Sequence, residues 1–290
     1  MVREAWPWRF RASTFAGMFG RESEMPYADL NGARIHFTDT GGQRPAIVFS
    51  HGLLFSGVMF EAQVAALRDR FRCITFDHRG QGRSGVTRGG YDMDTLASDA
   101  AALIRHLGAA PCHFVGLSMG GFVGIRLASE NPELLNSLTL LGTSADPEPK
   151  SNVPKYRMLN LIARWLGLKA VVGRVMPILF GRTFLNDRTR AEESRRWADA
   201  IVGNDRLGIT RAVSGVIERD GCAGLLSSID MPVGIGVGDE DVATVSGKSE
   251  RLHAAIRGSE LVVFNDAGHS SSIETPASVT DLIERTIGRA

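Results

Sequence analysis

The residue best placed to do nucleophilic chemistry is Ser118, within His113-Phe114-Val115-Gly116-Leu117-Ser118-Met119-Gly120-Gly121-Phe122. An apolar run leads into Gly-x-Ser-x-Gly, and a segment with helical spacing leads out. Small residues on both sides of the serine allow a strand to turn sharply into a helix, which lifts the hydroxyl above the sheet edge and aims backbone N–H groups at it. The same five residues also fit a plain Gly-rich turn, so their meaning depends on what accompanies them. A serine hydroxyl is a weak nucleophile at neutral pH until a base takes its proton, and the base works best when a third group fixes its tautomer. Two later apolar runs end in suitable groups. Val237-Gly238-Asp239-Glu240-Asp241 closes in an acidic loop, and Asn265-Asp266-Ala267-Gly268-His269 closes the last such run. His269 is the candidate base, while Asp239, Glu240, Asp241 and Asp266 compete to orient it. Ser118, Asp241 and His269 give the chain order serine, acid, histidine.

The other chemistry-bearing residues form no second constellation. His36, His78, His106, His113 and His253 have no partner motif, and no pair has metal-ligand spacing, so they are read as packing or surface residues and neither a metal nor another cofactor is called for. Cys73, Cys112 and Cys222 are odd in number and widely spaced. They are expected to be free thiols in a reducing compartment, the cytoplasm.

The elements that position these residues read as alternating strands and helices. Asn31-Gly32 is a hairpin signal between Tyr27–Leu30 and Ala33–Thr40, with Ile35 and Phe37 on one face. Ala46-Ile47-Val48-Phe49-Ser50 is a continuous apolar run suited to a strand buried on both faces, followed at once by His51-Gly52-Leu53-Leu54. A helix is expected over Met59–Leu67. The strand Cys73–Phe76 then runs into Asp77-His78-Arg79-Gly80-Gln81-Gly82-Arg83-Ser84, where Gly80 and Gly82 permit a bend and Asp77 and Arg79 are expected to pair locally. Leu96, Leu103, Ile104 and Leu107 recur at helical spacing before Gly108, and the strand leading to Ser118 follows. After Ser118, Phe122, Val123, Ile125 and Leu127 continue a helix, and Leu138–Leu141 is the next strand. From about Asp146 to Ser228 the alternation stops, and Leu159–Leu168, Val171–Phe180 and Glu192–Val202 read as helices with no strand between them. The sheet resumes with Val233–Val237, a helix containing Leu252 and Ile256, the strand Leu261–Phe264 and a last helix after Pro276. The class is therefore α/β with a largely parallel, doubly wound sheet. A helical insertion in such a chain must sit outside the sheet, naturally over the strand ends as a lid.

Bulk properties set the outer limits. With 290 residues and 43% hydrophobic content the chain can bury one large core, or a core plus a lid. A net charge of +1 gives no reason to expect nucleic acid, and no apolar run approaches the roughly 20 residues that span a bilayer. Residues 1–24 place Trp6, Trp8 and Phe10 among Arg3, Arg9 and Arg11 without the apolar stretch of about 7 to 15 residues that an export signal needs, so they are read as an N-terminal extension. Residues 151–228 carry 13 Lys and Arg against 7 Asp and Glu, an excess of six positive charges. That excess suits a carboxylate-bearing substrate, although solvated helix faces explain it as well.

From Tyr27 to Ile287 the chain resembles the α/β-hydrolase superfamily, through His51-Gly52, Asp77–Ser84, Gly116–Gly121, Gly238–Val245 and Gly268-His269. Within it, Gly116–Gly121 and Asp241-Val242-Ala243-Thr244 are similar to 3-oxoadipate enol-lactonases and small carboxylesterases, except that Val245 stands where many relatives carry proline. The resemblance implies an α/β-hydrolase fold with a core of residues 25–145 and 229–290 and a helical cap, 146–228, inserted after the sixth strand. It also implies the roles: Ser118 as nucleophile, His269 as base and Asp241 as the orienting acid. The N–H groups of Leu53 and Met119 would form an oxyanion hole, each such donor being worth about 10²- to 10³-fold in rate. His51 would hold the loop by hydrogen bonds. Dehalogenases and epoxide hydrolases of this fold use an aspartate nucleophile, which Ser118 argues against. Leu54 and, in the lid, Trp165, Met176, Phe180, Phe184 and Trp197 are candidates to line an apolar substrate pocket, a role that competes with plain core packing. The implied activity is hydrolysis of a small ester or lactone through an acyl-enzyme. Carbon–carbon bond hydrolysis of a dienoic ketone and a slow-turnover ligand receptor use the same triad, and homo-oligomerisation stays open.

Overall fold

The computed structural model describes residues 27–290. The extension of residues 1–24, and the Met25-Pro26 start of the core, lie outside the described residues. The chain opens with the hairpin β1 (Tyr27–Leu30) and β2 (Ala33–Asp39), paired antiparallel. Asn31 and Gly32 take φ of 46° and 73°, the left-handed pair that a two-residue type I′ turn requires.

Next come β3 (Ala46–Ser50), a 3₁₀ turn running into α1 (Glu61–Leu67), β4 (Arg72–Phe76), α2 (Met93–His106), β5 (Cys112–Leu117), α3 (Met119–Glu130) and β6 (Leu135–Leu141). Five helices follow, with no strand between them among the described residues. They are α4 (Val153–Leu166), α5 (Val172–Leu179), α6 (Arg182–Asn186), α7 (Ala191–Val202) and α8 (Arg206–Ile217). The sheet resumes with β7 (Val233–Gly238), α9 (Ser246–Ala255), β8 (Glu260–Phe264), α10 (Ser271–Glu274) and α11 (Pro276–Ile287).

The eight strands form one sheet in the order β1-β2-β4-β3-β5-β6-β7-β8. The pairs β1–β2 and β2–β4 are antiparallel and all the others parallel. Every residue of β3, β5 and β7 is buried, because helices cover both faces. One apolar cluster joins the sheet to α2, α3 and α9, and the other joins its opposite face to α1, α11 and the helices between β6 and β7. From β3 the chain steps outward to β4, then returns past β3 to β5. The connections thus leave β3 and β5 in opposite directions and open a crevice at their C-terminal ends, where open α/β sheets bind ligands.

The segment between β6 and β7 packs on the sheet layers through specific contacts. Arg196 on α7 forks onto both oxygens of Glu61 at 2.6 Å, and Arg190 reaches the Ile273 and Glu274 carbonyls at 2.9 Å. Its first helix differs from the spacing expectation of 159–168. α4 begins at Val153 with proline in the first turn, where a missing N–H costs nothing, and stops at Leu166 because Gly167 turns to φ 89°. No helix among the described residues is long and apolar enough to cross a membrane.

Candidate active site

Ser118 sits at the junction of β5 and α3 with φ 53° and ψ −111°, a strained conformation for a residue carrying a β-carbon. The flanking glycines make the turn possible. A Cβ at Gly116 would lie 2.3 Å from the Gly120 carbonyl oxygen, one at Gly120 would lie 2.0 Å from the Ser50 carbonyl oxygen, and one at Gly121 would lie 2.5 Å from the Thr143 side chain. The elbow is fastened from β6: the Ser118 N–H donates to the Leu141 carbonyl and the Thr143 hydroxyl donates to the Ser118 carbonyl, both at 2.8 Å. From the other side the loop after β3 closes in, a Cβ at Gly52 falling 3.6 Å from the Ser118 Cβ. Ser118 remains partly exposed.

The acid and the histidine come from the ends of β7 and β8, which are neighbours with Gly238 opposite Phe264. His269 Nδ1 donates to Asp241 Oδ2 at 2.8 Å, and both side chains are buried. The other oxygen, Oδ1, accepts the N–H groups of Ala243 at 2.8 Å and Thr244 at 2.7 Å, so the small-residue turn after Asp241 locks the carboxylate. Burial pulls the His269 pKa down, but the charge and hydrogen bond of Asp241, helped by Glu274, more than reverse this and the net shift is upward. A Cβ at Gly142 would meet Asp241 Oδ2 at 3.2 Å and His269 Nδ1 at 3.3 Å, one residue beyond the carbonyl that holds Ser118. The end of β6 thus lies against both the elbow and the acid–histidine pair.

The competing acids have other employment. Glu240 accepts from Arg182 Nε and from the N–H and hydroxyl of Thr183, each at 2.8 Å; Asp239 accepts the Ala267 N–H at 3.3 Å; Asp266 is a turn residue at φ 56°.

The region of the expected oxyanion hole is tightly tied. His51 is fully buried, its Nδ1 donating to the Gly52 carbonyl at 2.8 Å and its Nε2 accepting the His78 N–H at 2.9 Å. Burial lowers its pKa, which keeps the ring neutral in this loop-holding role. Met119 is the first residue of α3, so its N–H has no acceptor within the helix. Asp77 and Arg79 do not pair with each other. Asp77 binds His36 at 3.1 Å and the Gly57 and Arg83 N–H groups, whereas Arg79 forks onto Asp99 of α2 at 2.7 and 2.8 Å. Asp77 thus faces β2 and the loop after β3, while Arg79 faces α2.

Of the proposed pocket residues, Leu54, Met176, Phe180, Phe184 and Trp197 belong to one buried apolar cluster. Phe55 joins them, edge-on to Phe180 at 6.1 Å and to Trp197 at 5.8 Å. Trp165 is a correction: it is 71% exposed on α4, in line with Met158 and Leu161, because seven residues on from Met158 returns to the same helix face. An open cleft of about 760 Å³ lies away from Ser118 and His269, between the Gly89–Asp94 loop, α4 and α8.

Sequence reading missed Glu274. It is 5% exposed and accepts three backbone N–H groups, those of Gly181 at 2.8 Å, Gly268 at 2.9 Å and Ser270 at 3.0 Å. Burial raises its pKa against the opposing pull of these donors. It ties the loop carrying His269 to the helical segment at Gly181. The one available signal was a carboxylate five residues after the histidine, following three serines and an isoleucine.

Residues 45–276 match the family model described as alpha/beta hydrolase fold. The chain is 28% identical over 246 residues to 3-oxoadipate enol-lactonase 2 of Acinetobacter baylyi, covering 85% of this chain and 90% of that one. Among solved structures, the enol-lactonase of Burkholderia xenovorans LB400 superposes with a TM-score of 0.84 at 29% identity, over 91% of this chain and 100% of that one. A thermophilic esterase of Thermogutta terrifontis superposes at 0.82 with 29% identity, over 90% and 96%. Fold, strand-end placement of the site and family match agree: this chain is a hydrolase of the alpha/beta-hydrolase fold family.

Proposed function

We propose that the chain hydrolyses a small carboxylic ester or lactone through an acyl-enzyme, with Ser118, His269 and Asp241 as the catalytic triad. The observation that carries this reading is the buried 2.8 Å bond from His269 Nδ1 to Asp241 Oδ2, at strand ends beside a strained serine elbow. With Nδ1 committed as a donor, Nε2 is the nitrogen that accepts the Ser118 proton as the hydroxyl oxygen attacks the substrate carbonyl. The oxyanion that forms is bound by the N–H groups of Leu53 and Met119. Imidazolium then protonates the leaving oxygen as its bond to the acyl carbon breaks; in deacylation His269 takes a proton from water as hydroxide adds to the acyl carbon, and returns it to the Ser118 oxygen as the acyl–serine bond breaks and the acid leaves. Asp241 holds the tautomer throughout and stabilises the imidazolium.

Residues 146–228 act in this reading as the cap, with Leu54, Met176, Phe180, Phe184 and Trp197 bounding the acyl side. The likeness to an enol-lactonase and an esterase supports an ester or lactone as substrate. Turnover of p-nitrophenyl acetate and butyrate and of aliphatic lactones, with Ser118→Ala as control, tests the proposal. Ester turnover that Ser118→Ala abolishes is expected; undiminished turnover in that variant overturns it.

A further inference from the structure

We infer that Asn204 and Gln81 are positioning residues that couple the seating of the helical segment to the geometry of the oxyanion hole. The inference rests on the reading of Leu53 as an oxyanion donor. The direction of the Leu53 N–H is set by the Gly52–Leu53 peptide plane, since carbonyl and N–H point oppositely across a trans peptide. That plane is held by its carbonyl, which accepts from His51 Nδ1 at 2.8 Å and from the Phe55 N–H at 3.3 Å.

The Phe55 contact depends on Leu54, which turns the chain back with φ 74°, a left-handed conformation unfavourable for leucine. Such a residue keeps its conformation only where its surroundings over-determine it. Two side chains do so. Gln81, 1% exposed, accepts the Leu54 N–H on Oε1 at 2.8 Å, and its amide nitrogen lies 3.6 Å from the sulfur of Met119, whose N–H is the other oxyanion donor. Asn204, just beyond α7, donates from Nδ2 to the Leu54 carbonyl at 3.0 Å while its Oδ1 accepts the Gly82 N–H at 2.9 Å. The same NH₂ group reaches the Ala200 carbonyl at 3.1 Å, so the amide is oriented by the last turn of α7.

Both peptide groups of a strained leucine are thus gripped, one from the Asp77–Ser84 loop and one from the helical segment. α7 adds a second hold, since Trp197 packs edge-on against Phe55. Displacing α7 withdraws the Asn204 donor, frees Leu54 to leave the left-handed region and rotates the Leu53 N–H away from the elbow. The oxyanion hole is complete only when the segment is seated.

The test compares Asn204→Ala, Asn204→Asp and Gln81→Met with the parent chain, measuring kcat and KM for p-nitrophenyl butyrate, melting temperature, and inhibition by an alkyl trifluoromethyl ketone. Ser118 adds reversibly to that ketone, its proton passing to His269 and the hemiketal oxyanion occupying the hole. Asn204→Asp keeps the acceptor for Gly82 and loses the donor to Leu54, and Asn204 is only half-buried, so that variant folds even if the buried Gln81→Met does not. The expected result is kcat lowered about 10- to 100-fold with KM little changed, and ketone affinity lowered in parallel, the signature of an interaction made with the oxyanion alone. A raised KM at unchanged kcat, or ketone affinity within about twofold of the parent in the folded variants, overturns the inference. If Ser118→Ala retains turnover, the catalytic reading itself fails; if Ser118→Ala is inactive while the Asn204 variants match the parent, only the coupling fails.

Discussion

Replacing Asp241 with asparagine exchanges one carboxylate oxygen for an NH₂ group, and the surrounding bonds dictate which. Oδ1 accepts two backbone N–H groups, from Ala243 and Thr244, whereas Oδ2 accepts one proton, from His269 Nδ1. Placing the amide nitrogen on the turn would set it against two donors, so the asparagine keeps its oxygen there and turns NH₂ toward His269. Nδ1 must then accept, which moves the imidazole proton to Nε2 and leaves no acceptor for the Ser118 proton. A wrong tautomer of this kind costs about 10⁴-fold in kcat, or about 5.4 kcal/mol at ~1.36 kcal/mol per decade. The fold is spared, because both turn bonds survive and the melting temperature stays near that of the parent. Asp241→Ala behaves differently: it strands two N–H groups and loses an estimated ~2–4 kcal/mol of stability besides activity. The assay is p-nitrophenolate release from the butyrate ester at pH 8, beside a thermal melt of each variant. Asp241→Asn retaining more than about a tenth of the parental kcat would falsify the tautomer argument, since a tenth corresponds to only ~1.4 kcal/mol.

Three further outcomes follow from the same geometry. Because Asp241 and Glu274 outweigh burial and leave His269 titrating above the usual histidine value of 6.5, its neutral, basic form is lost on acidification earlier than for a free imidazole. The acid limb of kcat/KM is therefore centred above pH 6.5, and a midpoint at or below that value contradicts the assignment of His269 as base. Glu274→Gln should lower stability by about 1–3 kcal/mol and reduce kcat, because both carboxylate oxygens accept N–H groups and an amide faces at least one of them with a donor. An unchanged melting curve for that variant shows the carboxylate is dispensable for the loop. Gly120→Ala drives a Cβ to 2.0 Å from the Ser50 carbonyl oxygen in the middle of the sheet, where backbone cannot yield. It should fold poorly or lose activity, judged by circular dichroism and ester turnover together; a folded and fully active variant refutes the close-packed elbow.

Much of the molecule is legible in the chain because the signals are local. Asn31-Gly32 sets a turn by its own backbone preferences, and continuous apolar runs such as Ala46–Ser50 read as strands covered on both faces. The glycines around Ser118 announce a tight bend because side chains there would strike backbone, and the stretch from Asp146 to Ser228 declares itself by losing its strands. Where local reading went astray, distant partners were the cause. Asp77 and Arg79, two residues apart, each found a better partner on another element. Trp165 shares its apolar spacing with helices whose aromatic residues are buried but points outward, because the face of α4 that packs is chosen by α8 and not by α4 itself.

Ser118 and His269 stand out in the sequence as candidates, since one sits in a glycine elbow and the other at a strand end, and both are properties of a few consecutive residues. Spacing alone left four acids in competition, and only the family resemblance pointed to Asp241. In the tertiary structure the pairing of β7 with β8 and the turn after Asp241 bring that carboxylate into hydrogen-bond contact with His269. Asn204 meets Leu54 across 150 residues of sequence, Gly181 meets Glu274 across 93, and neither contact has a local signature. Such contacts exist only once the helices between β6 and β7 have settled over the strand ends, where packing rather than propensity chooses partners. The bond-making chemistry is thus written in short motifs, while the shape that orients it is a product of long-range packing.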